Sequence, residues 1–169
     1  MSRTIDGRPP SRETGRWHAY LAGAMERAPD RGREWRESLR PLLDELGHDY
    51  FDPCVEEREL LSDEERMSFR AWKDLGDERF VPMMRRVVEH DLGRLRESDY
   101  VICFWDEHAQ RSGGSPSEVT LAYVWGKPVY LVRALPRVEL SSWVQGCATR
   151  IFESMEQLSD FLREEYGGP

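Results

Sequence analysis

Apolar residues along this chain switch repeatedly between two spacings. Val101-Ile102-Cys103-Phe104-Trp105 is too continuously apolar for a half-exposed strand and predicts the central strand of a parallel sheet. Trp17-His18-Ala19-Tyr20-Leu21-Ala22 reads as the first strand and residues 128–132 as another buried one, with shorter strands at Tyr50-Phe51 and, on an edge, Ile151-Phe152. Between these runs the period lengthens to that of a helix. Trp35, Leu39, Leu42, Leu43 and Leu46 form the inner face of a first helix, which Pro41 is expected to bend or shorten. Phe80, Met84, Val87, Val88, Leu92 and Leu95 recur at roughly 100° per residue and predict a helix over residues 80–97, with Pro82 tolerable in its first turn. Leu121, Ala122 and Trp125 give a short helix ended by Gly126, and Leu158, Phe161 and Leu162 a final helix opened by Ser154-x-x-Gln157. Residues 60–69, with a capping pattern at Ser62-x-x-Glu65, predict an inserted helix. Strands alternating with helices predict an α/β fold. The expected sheet has five parallel strands, doubly wound, in the flavodoxin-like order 2-1-3-4-5.

Polar residues that interrupt this pattern are the candidates for chemistry. Asp91 falls inside the apolar stripe of its helix, where an ionised carboxylate costs several kcal/mol unless it is paired or hydrogen-bonded. It either pairs with an Arg or a neighbouring loop, or faces a polar pocket. Ser112-Gly113-Gly114-Ser115-Pro116-Ser117-Glu118 follows the central strand. Glycines there let backbone approach a ligand closely, and Glu118 lies beyond the strand's carboxyl end, where open α/β sheets bind ligands. The same residues also have a purely structural reading: Ser115-x-x-Glu118 fits a capping box, and Pro116 suits the first helical position. Asp106, ending the central strand, is a candidate ligand contact or a turn residue, with Trp105 beside it. Trp72, in the insertion, and Trp143, in a late loop, read first as packing residues.

Gly23 makes a tight turn after the first strand, but that turn is too short for G-x-G-x-x-G, and no G-x-x-x-x-G-K-[ST] loop occurs. Nicotinamide redox chemistry and triphosphate hydrolysis are both disfavoured. Taken together, Tyr20-Leu21-Ala22-Gly23-Ala24-Met25, Asp91-Leu92, Ser98-Asp99-Tyr100-Val101-Ile102, Gly114-x-x-x-Glu118 and Gly126-Lys127-Pro128-Val129 resemble the nucleoside 2-deoxyribosyltransferase family and its nucleotide N-glycosidase relatives. The resemblance covers residues 20–132. It implies that Glu118 is the nucleophile, that Asp91 lies near the base, that Tyr20 holds the nucleophile, and that subunits assemble as dimers or larger oligomers with shared sites. Ala24 stands where the family often has Pro, and residues 55–77 look like an insertion bearing on substrate choice.

These residue types suit the implied chemistry. Cleavage of a glycosidic C–N bond passes through an oxocarbenium-like state that a carboxylate can stabilise or trap as a glycosyl ester, while a second group protonates the leaving base. Glu118 fits the first role and Asp91 the second. Tyr20 completes the expected catalytic set, and Gly23, Asp106, Gly113, Gly114 and Ser115 are the expected substrate contacts. Water as acceptor gives a hydrolase and a second base gives a transferase. Two other readings remain: a non-catalytic nucleotide-binding or sensing domain, and a glycohydrolase that removes nicotinamide from a dinucleotide.

Composition narrows the partners. The 169 residues make one domain of ordinary size, with a formal charge of −8 that argues against nucleic-acid polymers and leaves a small nucleoside or nucleotide. A phosphate would draw on the amides around Gly113, Gly114 and Ser115, together with Arg27. Cys54, Cys103 and Cys147 form no C-x-x-C pair, and His18, His48, His90 and His108 lack zinc-ligand spacing, so neither metal nor cofactor is expected. With no signal peptide and no apolar run long enough for a bilayer, a cytoplasmic setting is expected. Residues 1–16 carry Arg3, Arg8, Arg12 and Arg16 with Pro9-Pro10 and read as a flexible basic arm ahead of a single domain over residues 17–169.

Overall fold

A computed structural model describes residues 16–167. Except for Arg16, the expected basic arm lies outside the described residues. The strands β1 (His18–Gly23), β2 (Asp49–Phe51), β3 (Tyr100–Trp105), β4 (Val129–Arg133) and β5 (Arg150–Phe152) form one all-parallel sheet in the order β2-β1-β3-β4-β5. This is the α/β arrangement expected from the alternating pattern. Leu21 of β1 sits opposite Ile102 of β3, and Ile102 opposite Tyr130 of β4. Both faces of these central strands are covered, which explains their unbroken apolar sequence.

Strand alternation divides the core in two. On one face Ala19, Leu21, Tyr100, Ile102 and Tyr130 pack with Trp35, Leu39 and Leu43 of α1 (Arg33–Glu45) and Leu158 and Leu162 of α8 (Met155–Tyr166). On the other, Tyr20, Ala22, Val101, Cys103 and Leu131 pack with Leu95 of α4 (Phe80–Glu97), Val119 and Ala122 of α6 (Gly114–Val124) and Val144 of α7 (Ser142–Cys147). Tyr20, Asp91 and Glu118 thus belong to elements that meet on the same side of the sheet. Among the described residues, no helix is long and apolar enough to cross a membrane.

Several local expectations need correction. Pro41 does not end α1, which continues for four residues to Glu45 with the proline on its exposed side. The insertion contains two helices, α2 (Pro53–Leu60) and α3 (Asp63–Leu75). Asp52 caps α2 by accepting from the Cys54 N–H at 2.9 Å, and Ser62 with Glu65 forms the expected capping box on α3. In α4 the inward face is rotated from the predicted stripe. Val88 is 49% exposed while Met83 is buried, since the N-terminal half of α4 packs on Leu61 and Trp72 of the insertion instead of on the sheet. Trp143 lies on the short helix α7, not in a loop. A further short helix, α5 (Glu107–Gln110), follows β3.

Candidate active site

A cavity of about 220 Å³ opens beyond the carboxyl ends of β1 and β3. Its walls come from the segment after β1, the insertion, one face of α4, and the start of α6. Glu118, Asp91, Gly23, Gly113, Gly114 and Ser115 all line it. Gly23 is required by a close approach, for a Cβ there would stand 2.9 Å from Cζ2 of Trp35.

Glu118 is held from β1. The buried Tyr20 hydroxyl donates to Glu118 Oε1 at 2.7 Å, and the Tyr20 ring stacks on Phe51 with centroids 5.0 Å apart. Burial is the main cause of a Tyr20 pKa well above the usual phenol value, so the hydroxyl stays a donor. Glu118 itself is pushed up to about 7, chiefly by burial; the Tyr20 hydrogen bond opposes this rise, Asp91 adds to it, and Arg36 opposes it. Asp91 is pushed up to about 6 by burial, with His90 opposing and Glu57 and Glu56 adding. The His90 ring lies 3.4 Å from Asp91 Oδ1 and 3.4 Å from Glu56 Oε2. Two carboxyls whose pKa values are both raised toward neutrality therefore share one cavity.

The capping reading of Ser115-x-x-Glu118 is overturned. Helix α6 starts at Gly114, which places Ser115 inside its first turn, and the Ser115 N–H donates to Ser112 Oγ at 3.2 Å. Ser112 satisfies that amide because the preceding turn, closed by Ser112 N–H to Ala109 O, brings its hydroxyl there. No side chain caps Gly113, and Glu118 is left to Tyr20 and the cavity. Pro116 occupies the first turn but not its first position.

Other candidates lie elsewhere. Asp106 caps α5, accepting from the Ala109 N–H at 2.7 Å, and is absent from the cavity wall. Trp105 is buried with its indole N–H directed at Gln110 Oε1, 3.5 Å away. Arg27 is exposed and outside the wall. Cys103 is enclosed in the core, and burial pushes its thiol far up. Trp72 packs against Leu61 and Met83. Among the described residues, no group of three or more His, Cys, Asp and Glu could hold a metal ion.

Sequence reasoning missed two arginines. Arg31 reaches the wall and donates from Nη2 to both carboxylate oxygens of Glu57 at 2.8 Å. Its φ of 61° comes from the turn before α1 and left no signal in its residue type. Arg36 is fully buried. Its Nε donates to Leu21 O at 3.2 Å, Nη2 to Gly23 O at 3.1 Å, and Nη1 to Gly32 O at 3.0 Å, tying β1 to the start of α1. Its helical phase, one residue after Trp35 and three before Leu39, was the available clue.

No protein-family model matches the chain, and no curated protein matches it in sequence. Solved structures similar in fold include the 2-deoxyribosyltransferase of the psychrotolerant bacterium Bacillus psychrosaccharolyticus, with a TM-score of 0.63 and 16% identity over 85% of this chain and 90% of that one. Another is a conserved protein from Enterococcus faecalis, with a TM-score of 0.63 and 16% identity over 88% of this chain and 98% of that one. Likeness over nearly the full length of both structures, at this identity, establishes a shared α/β fold.

Proposed function

We propose that the protein cleaves or transfers the N-glycosidic bond of a nucleoside or nucleotide, with Glu118 as nucleophile. The observation that carries this reading is the Tyr20 hydroxyl on Glu118 Oε1 at 2.7 Å, in a cavity also lined by Asp91. Tyr20 fixes one carboxylate oxygen and leaves the other to attack the anomeric carbon. As the C–O bond forms and the C–N bond breaks, protonated Asp91 delivers its proton to the leaving base. Water or a second base then attacks the glycosyl ester, giving up its proton to the Asp91 carboxylate and releasing Glu118 as the carboxylate. Burial raises Asp91 to about 6, below Glu118 at about 7, so the reactive arrangement, a proton on Asp91 with Glu118 ionised, is the less populated of the two singly protonated forms. Fold likeness to a 2-deoxyribosyltransferase supports the same reading.

Chromatography of a mixed panel of ribonucleosides, deoxynucleosides and 5′-monophosphates, with and without an added free base, tests it. Base release without an acceptor identifies a hydrolase, and release only with one identifies a transferase. Glu118→Gln keeps the side-chain shape and should lower turnover by at least about a thousandfold with the fold intact. Near-normal turnover by a folded Glu118→Gln protein would reject the mechanism. Binding without release by the unaltered protein would favour a sensing domain.

A further inference from the structure

The apolar half of the cavity has no part in bond cleavage. Phe80, Met83, Met84 and Val87 line it from the same face of α4 that carries Asp91. From Phe80 to Asp91 that face extends about 16 Å, at roughly 1.5 Å per residue. Leu61 and Phe69 of the insertion complete the wall. Met83 and Leu61 are buried, whereas Phe69, Phe80, Met84 and Val87 are only partly buried and border the open volume.

This wall has a definite chemistry. None of its side chains carries a hydrogen-bond donor, and the methionine thioethers are weak acceptors. The charged groups of the cavity are Glu118 and Asp91 at the reacting end, Arg31, whose Nη2 donates to both carboxylate oxygens of Glu57, and Glu26, paired with Lys73; none of them belongs to the Phe80-to-Val87 stretch of α4. A bare base laid along such a surface would lose water from its polar edges without replacement. An apolar substituent would instead gain about fourfold in binding for each methylene buried.

Resting on the N-glycosidic reading above, we propose that this wall is an aglycone subsite selecting nucleosides whose base carries an apolar alkyl or aryl substituent over the unsubstituted base. Such a substrate spans the cavity with its sugar at Glu118 and its substituent running along α4 toward Phe80. The insertion, which supplies Leu61 and Phe69, acts here as a specificity element.

Two matched pairs test the proposal: deoxyadenosine against its derivative butylated on the exocyclic nitrogen, and deoxyuridine against its 5-butyl derivative. Calorimetry with Glu118→Gln protein reads binding without turnover, and base release by the unaltered enzyme reads kcat/KM. The substituted member of at least one pair should bind at least about tenfold tighter. Met84→Gln and Val87→Thr, which nearly keep shape while adding polar atoms, should reduce that preference. Equal or weaker binding of the substituted member in both pairs, or no binding of either derivative, overturns the subsite. Tighter binding of a derivative with no release from any nucleoside would reject the N-glycosidic chemistry and leave the subsite standing. Release without any preference would reject the subsite alone.

Discussion

Asp91 and Glu118 are the residues whose protonation the proposed reaction must divide, one carrying a proton and the other ionised. Their pKa values, raised to about 6 and about 7, predict a bell-shaped kcat/KM profile with its maximum between those values, titrating as a coupled pair. Asp91→Asn should lower the maximum and remove the alkaline limb, and rate measurements from about pH 4.5 to pH 9 check both outcomes. Stability carries the same signature with a definite sign. Glu118 rises from 4.5 to about 7 on folding, so the folded protein holds the proton more tightly, and ionisation opposes folding progressively through that window. Glu118→Gln should therefore raise Tm at about pH 8, with the gain vanishing below about pH 4.5. Arg36 acts through backbone. A buried cation shared by Leu21 O, Gly23 O and Gly32 O cannot be replaced by an apolar chain without leaving those carbonyls unsatisfied. Arg36→Met should destabilise by about 3 kcal/mol in urea unfolding, and Arg36→Lys by less, because it keeps the charge but not the bridging geometry.

Helices of the insertion act at the next scale, as the roof over a cavity whose carboxylates come from α4 and α6. Their stability depends on end effects as much as on their small cluster of Leu61, Trp72 and Met83. In α3 the Ser62 hydroxyl accepts from the Glu65 N–H at 3.2 Å, and the Glu65 carboxylate accepts from the Ser62 N–H at 2.9 Å. Ser62→Ala removes the first of these bonds. A loss of about 1 kcal/mol is expected, measured as a lower urea midpoint at unchanged slope. A similar hydroxyl serves α6, but from Ser112, three residues before the serine that the sequence motif nominates. That shift separates a carboxylate used by its own helix end from one presented to a cavity.

At the scale of the whole molecule, an exposed apolar face remains on the side of α6 and α7. Val124 of α6 is 65% exposed and Trp143 of α7 67%, and the Trp143 indole N–H donates to Thr120 Oγ1 at 2.9 Å, which holds the ring against α6. We expect this face to pair with a second copy of the chain, since apolar groups gathered on a small domain are commonly covered by association. Light scattering should give a mass above that of one chain, and Trp143→Glu should shift it toward the monomer. A monodisperse monomer with full activity would refute the pairing and any sharing of the cavity between subunits.

The order of the five strands, the extent of α4 and the candidacy of Tyr20, Asp91 and Glu118 were legible in the sequence. Periodicity reports which faces are buried, and burial on both faces marks a strand as interior to a parallel sheet. An acid inside an apolar stripe is likewise a local signal, whereas Tyr20 was singled out by the family resemblance alone. The Tyr20–Glu118 bond, which joins residues 98 positions apart, has no such signal and exists only once β1 and α6 pack on one side of the sheet. The phase of Arg36 places it on the inner face of α1, but its backbone-carbonyl partners appear only in the fold, and only the fold decides that Asp106 serves α5. The two-helix roof shows the limit from the other side. Its capping box is written in four residues, yet the cavity it closes depends on where α3 comes to rest against α4, a contact between surfaces that periodicity along either helix does not encode.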